Sequence, residues 1–497
     1  MNALGPSTQV HLGPGTFQTL GYSDELSGGW QVQAGMKIVG AGIDVTTLQV
    51  ANRQSGGTPA RSFAIGHALA VGSPLHANLV DFCEASDLTI DCNFSGQSGG
   101  ANACGAVRLM GNHVRIARVK AKNWGSMTQS KPCFVLAVVT GDRTAELAEV
   151  FDAGIEGCIV VEPAVFSYNT YPSFALYAGA AESTATNAEA YGKAPFIRNC
   201  FVDCGGPSEG HDCRALSMGW CRGGIVEGNQ VHNTKYGGPF LDKASIRDVI
   251  VRNNYYRNVV KGPFWDLGVL NPTTAMTLSS LVRDTTYDAT GKTALATTVG
   301  SASHDLQVGE RVKVTASDLT PPAFKGVFVV SDVPATNQFR YRMVSDPGSN
   351  AATPAMQKVL GVDQALIELN TIELASDVSD PVAIHLCDHN AGQGPDYAHG
   401  GVIIRQNKIR YVNGDAGDGW DGTALQIEGA KNALISDNLI ECGPTDNPIK
   451  NFRCGTATYF NNKTPSGALI RGRDGVSNTK SSELETEAED ALLLTLI

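Results

Sequence analysis

The chain has 497 residues, of which 18% are charged, 42% hydrophobic and 7% aromatic, with 55 glycines. So little charge beside so much apolar residue excludes global disorder, and the glycine-rich, aromatic-poor profile favours many short strands and turns over a helical bundle. A formal net charge of −11 excludes the basic face of a nucleic-acid binder, and no apolar run is long enough to cross a bilayer.

In chain order, the first strand signal is VHLGPGTF at Val10–Phe17. It arrives abruptly with no signal peptide before it, so a segment upstream of this chain is expected. Strand-and-turn text continues to Val50 as WQVQAGMKIVGAGIDVTTLQV. The densest basic stretch, Val114–Lys122, alternates charged with apolar residues and reads as the solvent face of a strand.

A segment then recurs with changed letters. It reads LTIDCNF at Leu88–Phe94, PFIRNCFV around Asn199, IVEGNQV at Ile225–Val231 and IVRNNYY at Ile250–Tyr256. It returns as IIRQNKI at Ile403–Ile409 and LISDNLI at Leu434–Ile440. Asn229 and Asn254 are 25 residues apart, and Asn438 and Asn462 are 24 apart. A period in the twenties fits one coil of a β-solenoid, in which neighbouring coils stack to share a core. The repeated asparagine is expected at a left-handed turn position, stacked from coil to coil and hydrogen-bonded along the stack. A second short strand precedes these copies, as at Ala215–Met218, Pro239–Lys243, Pro381–Leu386 and Ala424–Glu428.

The pattern changes between Asp284 and Ala355, where five or six short strands with turn signals predict a small all-β module. The tail carries Ser482 and Glu485 at capping-box spacing before ALLLTLI, which predicts a short terminal helix. The expected division is therefore 1–283 solenoid, 284–356 inserted module, 357–475 solenoid and 476–497 tail.

The opening coils, Val10–Val50, resemble those of the pectate-lyase-like β-helix proteins, over roughly residues 8–270 and 358–475. The module resembles small β units of secreted bacterial and phage structural proteins. The resemblance implies an all-β, right-handed parallel β-helix solenoid interrupted by a small β domain. It also implies an extracellular or cell-surface protein, or a virion component, whose partner is a polysaccharide. The lyase and polygalacturonase catalytic signatures are not intact here, so the chemistry has to be read from the residues themselves.

Asp242 and Asp266 are the leading candidates. GGPFLDK at Gly237–Lys243 is echoed by GPFWD at Gly262–Asp266, with the aspartates 24 residues apart. Read as one register in successive coils, the two carboxylates stack at about 4.8 Å. They would then hold calcium, form an acid–base pair or bind sugar hydroxyls; alternatively they are surface aspartates paired with Lys243 or Lys261. Tyr236, Tyr255, Tyr256 and Trp265 beside them suit sugar stacking, whereas Phe240 and Phe264 are expected as an interior stack. A second cluster is His385–His399, where alternation turns His385, Cys387 and His389 outward with Asp388, Asp396 and His399 nearby, as a metal site or a base. Ser217, His385 and Gln426 appear as equivalent outward positions, and Lys243 and His385 as the proton-transfer groups. Asp415, Asp418 and Asp421 resemble a loose calcium loop without an EF-hand's closing glutamate. The twelve cysteines contain no CxxC pair and read as interior residues, with zinc at Cys200, Cys204, His211 and Cys213 as a minor alternative. The functional expectation is a polysaccharide lyase or glycoside hydrolase. Its rival is a non-catalytic structural or adhesive β-helix such as a phage tail component, and monomer and homotrimer both stay open.

Overall fold

The computed structural model describes residues 4–19, 28–52, 62–67, 80–97, 103–126, 133–139, 150–164, 173–179, 192–206, 213–219, 221–238, 240–242, 246–270, 276–300, 304, 306, 308–315, 321–350, 354–360, 362–375, 381–388, 399–411, 423–441, 448–452, 454–470, 473–474 and 481–483. Among them the helical segments are two single 3-10 turns, Phe94–Gly96 and Pro322–Phe324. The rest is strand and turn, wound as a right-handed parallel β-helix.

One column of paired residues traces the stack. Val10 pairs in parallel with Ile38, and the chain of partners continues through Ala85, Ile116, Ile155, Ile197 and Val226. From Val226 it runs through Val251, Ile367, Ile404, Ile435 and Tyr459 to Glu483. Most of its members are fully buried β-branched residues, which fit the inward face of a pleated, half-buried strand. Burying each such side chain contributes about 1.5–3 kcal/mol. Coil length varies far more than the repeated segment suggests: Ile38 pairs with Ala85, 47 residues on, whereas Leu434 pairs with Thr458, 24 residues on. Strand pairing fixes the stacked parts, and the connecting loops absorb the difference.

The asparagines form the expected ladder. The side-chain amide of Asn229 donates to Asn254 Oδ1 at 2.9 Å, Asn254 to Asn370 at 3.0 Å and Asn370 to Asn407 at 3.0 Å. Asn407 continues to Asn438 at 3.0 Å, and Asn438 to Asn462 at 2.8 Å. Each also donates to a backbone carbonyl of the preceding coil, as Asn370 does to Val251. Toward the N-terminus the backbone N–H groups of Cys200 and Cys158 extend the line, bonding to Asn229 Oδ1 and Cys200 Sγ. The conformational expectation needs correction. The left-handed residue is the one before each asparagine: Gly228 (φ 68°), Asn253 (55°), Leu369 (57°), Gln406 (55°), Asp437 (54°) and Asn461 (46°). That turn reverses the strand end so that the following asparagine points into the stack.

Leu369 is the strained member of this series, half exposed at 47%. A left-handed conformation costs a residue with a bulky Cβ substituent roughly 1–2 kcal/mol, and asparagine tolerates it better. The Leu369→Asn variant is therefore expected to be more stable by about 1 kcal/mol. A chemical denaturation midpoint at or below the parent's would count against this account.

The inserted unit is antiparallel. Its strands run from Met276–Arg283 to Ala355–Leu360, around a core that includes Leu281, Val312, Phe324, Phe339 and Tyr341. Its first and last strands pair with each other, Met276 opposite Met356, and the last also pairs with the end of the preceding solenoid strand, Val269 opposite Leu360. The chain thus leaves and rejoins the solenoid at one place, and Val251 stacks directly on Ile367. In the tail, Ser481–Glu483 is a strand stacked on Ala457–Tyr459, so Ser482 does not cap a helix. The remaining residues of the expected helix lie outside the described residues.

Candidate functional site

One sheet of the solenoid presents a long outward row. Its members pair in sequence: Arg108 with Ala137, Ala137 with Tyr177, Tyr177 with Ser217 and Ser217 with Phe240. Phe240 pairs with Trp265, Trp265 with His385, His385 with Gln426, Gln426 with Lys450 and Lys450 with Arg473. Flanking positions on these strands, such as Val107, Leu136, Leu176, Leu216, Ile384 and Leu425, are buried in the solenoid core. Pleat alternation therefore turns Arg108, Ala137, Tyr177, Ser217, His385 and Gln426 away from that core. Nine steps at about 4.8 Å give a track roughly 43 Å long.

The N-terminal half of this face is aromatic and cationic. Phe134 stacks on Phe174 with centroids 4.8 Å apart, and Tyr177 meets both edge-on at 5.2 and 5.8 Å. The Arg214 guanidinium lies over the rings of Phe174 (5.3 Å) and Tyr236 (5.8 Å), and that of Arg108 over Phe63 (5.7 Å). Both arginines are only 8% exposed, and Ser217 is fully buried with its hydroxyl unpartnered among the described residues. The strand bearing Phe240 is reached through Gly238, at φ 87°, where a Cβ would lie 1.9 Å from the Leu216 carbonyl. Only glycine fits that turn.

The C-terminal half centres on His385, 9% exposed. Its Nε2 lies 3.6 Å from Glu428 Oε1, and the same oxygen accepts a hydrogen bond from Gln426 Nε2 at 2.5 Å. Glu428 was not among the sequence candidates. Its signal is the alternation Gln426-x-Glu428 on the strand beside His385, legible only once the register is known. A carboxylate against a mostly buried imidazole orients the ring, as a positioned proton-transfer group requires.

Asp242 and Asp266 do not share a register. Leu241 pairs with Asp266, and Asp242 with Leu267. The coil length here is 25, as in Gln230 opposite Tyr255 and Phe240 opposite Trp265, so a residue 24 positions on falls one short. Adjacent registers lie in opposite pleat phase, so this backbone does not offer the stacked carboxylate pair that a shared calcium or proton needs. The same offset sets Phe240 opposite Trp265 and Phe264 opposite Ile384, which undoes the Phe240–Phe264 stack.

The other candidates separate. Tyr236 and Gln426 lie on this face and Trp265 in its row, whereas Tyr255, earlier on the strand that carries Trp265, pairs with Gln230 and Thr371 in another column. There burial, then a hydrogen bond to Glu373, pushes the Tyr255 hydroxyl above its ordinary value. Tyr256 is fully buried in the core. His399 is buried on the next strand, accepting the Val362 N–H at 3.2 Å, apart from His385. Lys243, His389, Asp396, His211 and the aspartate loop Asp415–Asp421 lie outside the described residues. Among the described residues no group of three or more His, Cys, Asp or Glu could hold a metal, and no helix is long and apolar enough to cross a membrane.

No family model and no curated protein matches the sequence. Among solved structures, the chain is similar to the mannuronan C-5 epimerase A-module of Azotobacter vinelandii, with TM-score 0.39 and 12% identity over 98% of this chain and 93% of that one. It is similar to DFA-IIIase from Arthrobacter chlorophenolicus, with TM-score 0.42 and 10% identity over 96% and 89%. A third is PfbA, a surface adhesin of Streptococcus pneumoniae, with TM-score 0.39 and 10% identity over 94% and 87%. The likeness is one of outline. What identifies the β-helix is the chain's own strand register.

Proposed function

We propose that this is an extracellular carbohydrate-active β-helix protein that binds a long polysaccharide along the outward row and cleaves it, as a lyase or a glycoside hydrolase. The observation that carries the reading is the row itself: a column of stacked positions that carries Arg108, Tyr177, Gln426 and Lys450, with His385 facing Glu428 within it. A polymer engages such a track residue by residue, its sugar rings on aromatic faces and its hydroxyls or carboxylates on Arg108, Arg214, Gln426 and Lys450. His385, oriented by Glu428, is the proton-transfer group. In an elimination it would take the proton beside a uronate carboxylate; in a hydrolysis the histidine and the carboxylate would divide acid and base roles. Asp242 and Asp266 enter this reading as separate flanking residues.

A screen of acidic and neutral polysaccharides tests it, read by ultraviolet absorbance and by reducing ends. New reducing ends with rising absorbance are expected from a lyase, since elimination leaves a double bond, and new reducing ends alone from a hydrolase. Binding without either signal would replace the enzyme reading with the adhesive one. Neither binding nor cleavage across the panel would overturn both.

A further inference from the structure

Cys204 and Cys213 stand apart from the other cysteines. Their sulfurs are 2.6 Å apart and both residues are fully buried. The structure holds both as free thiols, but so short an approach leaves only a small closure to the covalent S–S distance of about 2.05 Å. Elsewhere the thiols donate to backbone carbonyls: Cys83 to Gln33 at 3.0 Å, Cys200 to Arg198 at 3.1 Å, Cys158 to Glu156 at 3.4 Å and Cys454 to Ile427 at 3.5 Å. Burial pushes the Cys83 thiol up to about 11 and the Cys221 thiol up to about 12, which keeps them protonated and inert. Of the zinc alternative, Cys200 sits in the ladder column, accepting the Cys158 N–H, and His211 lies outside the described residues.

We infer that Cys204 and Cys213 form an intrachain disulfide that closes the loop between them. Cys204 follows the strand Phe201–Asp203, and Cys213 opens the strand Cys213–Gly219, which carries Arg214 and Ser217. The bond fixes the start of that strand. In the chemistry, the two thiols lose two protons and two electrons as the S–S bond forms. The acceptor is another disulfide, which is reduced to two thiols by exchange through a mixed disulfide. Because the sulfurs are buried, exchange takes place as the chain folds, and the finished bond is shielded from reductant. The inference is independent of what the row binds.

The test uses the full chain, purified without reductant and refolded with glutathione disulfide. It is then denatured in an alkylating agent, digested and weighed. The peptide spanning both cysteines is expected to lack two hydrogens and to take no label until dithiothreitol is added, while Cys158 and Cys200 are labelled at once. Parent reduced while unfolded and refolded in dithiothreitol should melt on the order of a few degrees below the oxidised parent, whereas the same treatment should leave the C204S/C213S double variant unchanged. Immediate labelling of both cysteines, or stoichiometric zinc in the native protein, would overturn the inference. So would equal sensitivity of parent and double variant to reductant.

Discussion

Replacing Asn370 by leucine is expected to destabilise the protein by about 3 kcal/mol or more, although the shape of the site is nearly kept. Asn370 Oδ1 accepts both the backbone N–H of Asn254, at 3.1 Å, and its side-chain amide, at 3.0 Å. Asn370 itself donates to the Val251 carbonyl and to Asn407. Leucine would leave two buried donors on Asn254 without an acceptor, and each such group costs roughly 1–3 kcal/mol. Asn254, Asn370 and Asn407 are all within 2% of complete burial, so water does not substitute. The contrast with the adjacent Leu369→Asn makes the test sharp, because neighbouring substitutions are expected to move the denaturation midpoint in opposite directions. An unchanged midpoint for Asn370→Leu would mean that the amide ladder is incidental to stability.

The second large effect concerns activity. If the chain cleaves a glycan as proposed, His385→Gln should lower kcat by a factor of about 100–10,000 with little change in KM, the usual contribution of a positioned acid or base. Glu428→Gln keeps the hydrogen bond from Gln426 possible and removes the charge facing the imidazole. It should cost less, on the order of tenfold, because the imidazole loses the carboxylate that orients it. Both variants should melt near the parent. If both keep full activity, His385 is a packing residue and the catalytic group lies elsewhere on the row.

The ladder could be read from the sequence because its members carry the same letter in a repeated phrase. Ser217, His385 and Gln426 could be placed as equivalents because each sits midway in a strand whose apolar neighbours mark the inward face. The aspartates misled because the phrase GPF-x-D was aligned by its letters. The neighbouring asparagines already set a coil of 25, and that spacing puts Trp265, not Asp266, in the row. Glu428 was invisible for a different reason: its partner lies on another coil, and nothing local in ALQIE distinguishes a site carboxylate from a surface one. The same holds for the alternating column of Arg198, Glu227, Arg252, Glu368 and Arg405, whose charges pair at 3.1 and 2.8 Å around Glu227 and at 2.8 Å between Glu368 and Arg405. Neighbouring members are as much as 116 residues apart, as Arg252 is from Glu368, and become an alternation only after stacking.

The inserted unit has a bearing on how the molecule reaches its native state. Asn254 must meet Asn370 across 116 residues, whereas Asn229 meets Asn254 across 25. The entropic penalty of closing a loop grows only logarithmically with length, but the search slows as contacts become less local. The pairing of Met276 with Met356, and of Val269 with Leu360, shortens that search: once the antiparallel unit has condensed, its two ends are already side by side. The C-terminal coils are then presented to the N-terminal stack as a near neighbour. On this view the insertion is a timing device, and the order of assembly runs from the small barrel-like core outward to the solenoid joint. Slow solenoid refolding is the expected outcome whenever the unit's own core, at Phe324 or Phe339, is weakened.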